Sequence, residues 1–146
     1  MNIRAAKVGD ESAIHELIVE LAVYERAQDE VTNTVEQLRI DLFEDRICDA
    51  IVVEEDSKVV GFALFYTSYS TWKGRCLYLE DFYVREENRR NGIGSQLFQK
   101  VVEIAKIRGV KRMDWQVLEW NEPGLNFYKK ENAILDPEWV NGRLFF

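Results

Sequence analysis

The sequence is poor in cysteine, proline and histidine: among its 146 residues it has two of the first, two of the second and one of the third. Cys48 and Cys76 are too few for a disulfide framework, and neither stands near a second thiol or a histidine, so both are expected as reduced thiols of a cytoplasmic protein. His15 is the lone histidine. It lies among apolar helical positions, which suits a surface or packing role. No His/Cys/Asp group has metal-ligand spacing, so no metal is expected, and no Ser-His-Asp arrangement can be built. Both prolines, Pro123 and Pro137, come late, and there is no low-complexity tract, repeat or linker. No apolar run is long enough to span a bilayer, and no export signal opens the chain. Positive charge is the minority: 19 Lys and Arg against 26 Asp and Glu give a net charge of −7. That argues against nucleic acid as a partner and permits a cationic substrate.

What is present suits a single domain over residues 1–146 with one sizeable core; 47% of the residues are hydrophobic and 31% charged. "NIRAA" reads as a first strand. After Asp10, a candidate N-cap, Ile14, Leu17, Ile18, Leu21 and Ala22 fall at helical spacing. "TVEQ" at 34–37 has the form of a capping box, with a short helix through Leu38 and Leu42 to follow. The period then changes. "DAIVVEE" and "VVGFALFYTSY" read as a hairpin joined by the turn "DSK", and "RCLYLEDFYV" reads as a third strand. Ile93, Leu97, Val101, Ile104 and Ala105 mark a helix ending at Gly109. "KRMDWQVL" reads as a strand. "EPGLNFYKK" reads as a helix with Pro123 in its first turn and Asn132 as a left-handed residue past its end. "VNGRLFF" reads as a last strand. The order implies an α/β (α+β) domain with a mixed central sheet flanked by helices.

The stretch "REENRRNGIGSQLF", residues 85–98, places Arg89, Arg90, Gly92 and Gly94 between a strand and a helix. The first N–H groups of a helix lack partners and carry the positive end of its dipole, and glycines let a phosphate come close. A nucleotide P-loop would need Lys-Ser/Thr after the second glycine, where Ser95-Gln96 stands. A dinucleotide fingerprint would need a third small residue, where Leu97 stands.

Arg89-Arg90-Asn91-Gly92-Ile93-Gly94, set between "LEDFYV" and an amphipathic helix, resembles the acetyl-CoA motif of the GNAT N-acetyltransferases. "ELAVYER", "LYLEDFYV" and "EWNEPGLNFYKK" narrow the likeness to the spermidine/spermine (diamine) and thialysine acetyltransferase group. The resemblance covers nearly the whole chain and implies the GNAT fold. The implied activity is acetyl transfer from acetyl-CoA to a primary amine of a small molecule, either a polyamine or diamine or a thialysine-like amino acid. Two rivals keep the same fold: acetylation of protein or peptide amines, and a non-catalytic CoA-binding regulator. A homodimer with no membrane or nucleic-acid partner is expected.

The resemblance also assigns residues. Backbone N–H groups of Arg90, Asn91, Gly92, Ile93, Gly94 and Ser95, with Arg89 adding charge, would hold the pyrophosphate. Phe82, Tyr83 and Val84 would pair by backbone with the pantetheine arm, and Asn121, Asn126 and Tyr128 would flank it. Tyr128 would return a proton to the departing thiolate. Glu80 would stand at the acceptor amine and take its proton, directly or through water. Asp81, the next residue, is expected to face the other side of the sheet because strand side chains alternate. Tyr24, Glu25, Trp72, Glu80, Asp81, Asp114, Trp115 and Gln116 would line the acceptor channel. The chain departs from the family pattern at Ser70, where polyamine-preferring members tend to carry an acid, and at Asn132, which replaces the usual glycine. It also stops at "RLFF", shorter than most relatives, in the region that helps build the family's dimer and acceptor site.

Overall fold

The computed structural model describes residues 1–146. The chain divides into two compact units, Met1–Gln116 and Val117–Phe146.

The first unit is built on a five-stranded sheet in sequence order: β1 (Asn2–Ala5), β2 (Asp49–Glu55), β3 (Lys58–Ser70), β4 (Gly74–Val84) and β5 (Met113–Asp114). β1 to β4 are antiparallel neighbours, and β5 joins β4 in parallel. The first crossover carries α1 (Glu11–Tyr24) and α2 (Val35–Arg39), which runs on as a π-helical turn, Ile40–Glu44. The second carries α3 (Ile93–Ile107). The expected mixed sheet flanked by helices is therefore present.

Strand parity sorts the core into two layers. Ala50, Val52, Phe62 and Leu64 cluster with Ile14, Leu17, Leu38 and Leu42 beneath α1 and α2. α3 packs on β3 and β4 from the other side, with Leu97 and Val101 fully buried. Each such buried side chain contributes roughly 1.5–3 kcal/mol over an exposed one. Phe98 of α3 meets Phe82 edge-on, with ring centroids 5.9 Å apart, which fixes that face of β4 as the α3 side.

Local signals were borne out at several ends. Thr34 caps α2, its hydroxyl accepting from the Gln37 N–H at 3.1 Å. α3 closes through Gly109, whose φ is +70°. Asp10 is a correction: it precedes α1 but makes no side-chain cap. Its carboxylate is taken by Arg4, at 2.7 Å, and by the Lys7 N–H, at 2.8 Å. Burial would push the Asp10 carboxyl up; these bonds and charges outweigh it and hold it low.

In the second unit α4 (Glu122–Lys130) carries Pro123 in its first turn. Asn121 caps it, accepting from the Gly124 N–H at 3.1 Å. A Cβ on Gly124 would lie 2.5 Å from the Asn121 amide nitrogen, so a larger residue there would push the capping side chain aside. Asn132 takes the left-handed conformation expected of it, with φ +65°. The last expected strand is absent, since "VNGRLFF" has no regular structure. "KRMDWQVL" contributes only Met113 and Asp114 to the sheet.

Candidate active site

β4 carries the decisive irregularity. Leu64 faces Asp81 across the β3–β4 ladder, and the next residue, Phe65, faces Leu79. Glu80 is the extra residue of a β-bulge. Residues opposite one another in a ladder share a face, so Asp81 lies on the face of Leu64, the α1 side. Tyr78, opposite Tyr66, lies on that same face. The Tyr66 hydroxyl donates to Glu80 Oε1 at 3.4 Å, which places Glu80 there too. The expectation that Glu80 and Asp81 point to opposite sides is thus overturned: the bulge resets the alternation between them.

A carboxyl group from α1 joins them. Glu25, the C-cap residue of α1, comes near enough that Glu80 raises its affinity for protons on top of the larger effect of burial. Asp81 responds most strongly. Burial first, then Glu80, then Glu25, push its carboxyl up to about 7. All three causes act in one direction, against the charged form.

Tyr66 and Tyr78 floor this group, with ring centroids 5.5 Å apart. Burial, and after it the charge of Glu80, raises both hydroxyls above the ordinary tyrosine value. Neither tyrosine was singled out from the sequence. The available signal was the parity of Tyr78 with Glu80, two residues on, and the hairpin partner that parity implies for Tyr66. Asp114 is the register partner of Tyr78 on β5 and binds Arg112 at 2.8 Å.

The other expected acceptor residues divide. Tyr24 ends α1, 40% exposed, next to Glu25. Trp115 lies on the opposite face, its ring edge-on to Phe98 with centroids 5.4 Å apart. Trp72 stands at the tip of the β3–β4 hairpin, 78% exposed. Six strand residues separate that tip from Glu80, a span of roughly 20 Å. Within one chain Trp72 is therefore not part of the carboxyl group. Ser70, at the same tip, is buried and accepts from the Trp72 and Lys73 N–H groups at 3.2 and 3.1 Å.

The glycine loop follows β4 directly. Asn91 and Gly92 are both left-handed, with φ +56° and +71°, and Gly92 starts α3 with no side chain capping it. A Cβ on Gly92 would meet nothing within 4 Å, so the space over the helix start is open. The fifteen residues of α3 give that end a full dipole. Arg89 has a structural role here: it donates to the Val84 carbonyl and lies over the Tyr83 ring, 5.4 Å from its centroid. The Tyr83 hydroxyl in turn donates to Glu20, which also holds Arg85 at 2.7 Å. Ile93 is buried and seats the helix, while Arg90 is exposed.

The parallel ladder between β4 and β5 registers only Leu77 with Met113 and Tyr78 with Asp114. Beyond those pairs, Phe82, Tyr83 and Val84 carry β4 on towards the glycine loop. A helix start with no side-chain cap, directly after a strand end and its glycine loop, suits a ligand with an extended amide arm and a diphosphate. Coenzyme A has both, so these residues fit it. No group of His, Cys, Asp and Glu side chains could hold a metal ion.

In the second unit Tyr128 is buried, and its ring stands edge-on to Phe127 with centroids 5.3 Å apart. Its carbonyl accepts from the Ala133 N–H at 3.0 Å. Asn121 serves as the cap of α4 and Asn126 is exposed on that helix.

Sheet order, helical crossovers and the strand–glycine loop–helix unit define an acyltransferase fold. The acetyltransferase (GNAT) family model matches residues 12–132, and the chain belongs to that family. It is an acetyltransferase. Among relatives, the chain is 44% identical over 140 residues to a Bos taurus protein named thialysine N-epsilon-acetyltransferase, covering 90% of this chain and 82% of that one. It is 35% identical over 140 residues to the Homo sapiens spermidine/spermine N(1)-acetyltransferase-like protein 1, covering 90% of this chain and 20% of the relative. A crystal structure of a possible acetyltransferase from Clostridium difficile 630 superposes with a TM-score of 0.79 at 22% identity, covering 99% of this chain and 98% of that one.

Proposed function

We propose that this acetyltransferase moves the acetyl group of acetyl-CoA onto the primary amine of a small cationic molecule, a polyamine, diamine or thialysine-like amino acid. The observation that carries the reading is the bulge at Glu80, which turns two consecutive carboxyl groups to the α1 side on the strand that leads into the glycine loop. The relatives named for thialysine and, more distantly, for spermidine and spermine support the substrate class. The family model runs through both compact units, which supports reading residues 1–146 as one acetyltransferase domain.

Each role follows from the chemistry required. An aliphatic amine with a pKa near ~10.4 arrives protonated at neutral pH. Glu80, exposed and anchored by Tyr66, meets the ammonium and holds it while its proton leaves to a carboxylate of this group, directly or through water, and Glu25, Asp81, Tyr24 and Asp114 supply negative charge and polar contacts around it. Of the backbone N–H groups from Arg90 to Ser95, those of Arg90 and Ile93 donate to the Asn88 and Arg90 carbonyls, so the pyrophosphate falls to the N–H groups of Asn91, Gly92, Gly94 and Ser95, and the backbone of Phe82 to Val84 pairs with the pantetheine arm. By the match of "EWNEPGLNFYKK" to the family, Asn121 and Asn126 are assigned to the same arm. Bound acetyl-CoA supplies a thioester carbonyl open to attack and a thiolate leaving group. Tyr128 gives its proton to that sulfur, a role resting on the match of "NFYKK" to the family. Trp72 and Gln116 complete the assigned set. Exposed on a hairpin tip, Trp72 would reach an acceptor only from a second copy of the chain, which fits a cytoplasmic homodimer.

The test is thiol release from acetyl-CoA with spermidine, spermine, putrescine, thialysine, lysine and a basic peptide, with light scattering alongside. Release with one of the small amines is expected, from a dimer. Release with the peptide alone would move the substrate to protein amines. Tight CoA binding with no release would make the chain a regulator.

A further inference from the structure

Two carboxyl groups on one face of one strand need not do the same work. Glu80 occupies the bulge, is exposed to solvent and receives the Tyr66 hydroxyl. Asp81 is the next residue inward, half-buried, registered against Leu64, whose side chain belongs to the core under α1. Its surroundings can be followed element by element. Glu80 stands beside it on β4 and Glu25 faces it from the end of α1. Tyr66 on β3 and Tyr78 on β4 lie on the same face, and Asp114 comes from β5 with its charge taken up by Arg112. Towards the glycine loop, Tyr83, Glu20 and Arg85 bond among themselves.

We propose that the two carboxylates divide the acceptor's chemistry, Glu80 anchoring the ammonium at the mouth and Asp81 taking and holding the proton it gives up. This rests on the acetyl-transfer reading above. The step balances: one N–H bond of the ammonium breaks and an O–H bond forms on an Asp81 carboxylate oxygen, directly or through one water. The nitrogen keeps the electron pair and bonds to the acetyl carbon. The carbon–sulfur bond breaks, the sulfur takes the Tyr128 proton, and the second N–H proton, made acidic once the nitrogen is bonded to the acetyl carbon, leaves through water and restores the Tyr128 hydroxyl. Asp81 then returns its proton to solvent.

The division follows from the environments. An exposed carboxylate held by a single long hydrogen bond binds a cation and lets it go. A carboxyl disfavoured as an anion by burial, Glu80 and Glu25 accepts a proton near neutrality, the match a general base requires at working pH. The arrival of a cation at Glu80 also removes part of the repulsion that keeps Asp81 protonated, so acceptor binding itself readies Asp81 as a base. Glu25 belongs to this set as a tuning charge; it need not touch the amine.

The experiment begins with a readout independent of turnover. Protein carrying carbon-13 in its aspartate carboxyl groups is titrated by NMR without ligands, as wild type, Asp81→Asn, Glu25→Gln and Glu80→Gln. One aspartate signal is expected to titrate near pH 7. It should be absent from Asp81→Asn and move to lower pH in Glu25→Gln and Glu80→Gln. In kcat/KM for the accepted amine, the acidic limb should fall at the same pH, shift with the two glutamate variants, and vanish in Asp81→Asn with at least a tenfold loss of kcat. Glu80→Gln should mainly raise KM for the amine. If every aspartate titrates below about pH 5, or if an active Asp81→Asn keeps the limb, the assignment of the proton to Asp81 is overturned while acetyl transfer stands. If the signal near pH 7 is present but no amine supports thiol release, the acetyl-transfer reading fails and the role of Asp81 fails with it.

Discussion

The Tyr66 hydroxyl reaches across the β3–β4 ladder to Glu80, donating to its carboxylate at 3.4 Å from a strand position opposite Tyr78. The bond is long, so its loss should be felt as a few-fold change rather than a collapse. Tyr66→Phe keeps the ring against Tyr78 and removes only the donor. The expected result is a three- to tenfold higher KM for the amine with the KM for acetyl-CoA unchanged. Equal changes in both constants would mean that the hydroxyl supports the fold rather than the acceptor.

Asp81 makes stability depend on pH in a direction opposite to that of a salt-bridged carboxylate. Its carboxyl titrates near 7 in the fold and near about 3.9 in an unfolded chain. Between those values the folded chain holds the extra proton, so stability falls as pH rises from about 4 to 7. Asp81→Asn abolishes that loss. It should stabilise the protein at pH 8 by on the order of 2 kcal/mol, after allowance for the water Asp81 still meets, and by nothing at pH 4. Urea unfolding at the two pH values measures this, and a destabilised Asp81→Asn at pH 8 would contradict it.

Gly92 is held by its backbone and not by crowding. Its φ is +71° and a Cβ there would touch nothing. Gly92→Ala should therefore cost about 1–2 kcal/mol of stability for the left-handed geometry. It should also raise the KM for acetyl-CoA several-fold, because a methyl group would stand over the helix start. Calorimetry and CoA titration separate the two effects.

Tyr128→Phe removes a hydroxyl from a buried ring that packs on Phe127. The fold and the CoA affinity should survive. A thiolate is already a fair leaving group, so kcat should fall by on the order of 10- to 100-fold rather than to zero. Unchanged kcat would remove Tyr128 from the chemistry.

Much of this protein was legible in its residues because the signals were local. Helical spacing fixed α3, Thr34 marked the start of α2, Asn132 supplied the left-handed residue after α4, and Gly92 announced an open helix start. The misreadings arose where pairing overrode local pattern. Nothing in "LYLEDFYV" says that β3 will skip Glu80, yet that one slip brings Asp81 to the face that Tyr66 and Tyr78 already share. "KRMDWQVL" has the composition of a full strand but finds β4 alongside for only two residues, and the Trp115 ring packs edge-on to Phe98. Asp10 had the look of a cap, but Arg4, brought beside it by the first strand, took its carboxylate.

The most direct test of the whole account follows the acetyl group itself. The protein is given acetyl-CoA labelled with carbon-13 in the carbonyl, together with the small amine that best supports thiol release, and the label is traced by NMR. The account predicts a carbonyl signal moving from thioester to amide on the amine, at a rate that falls in Tyr128→Phe and in Glu80→Gln. Label that stays on the thioester, or appears only as free acetate, would contradict it.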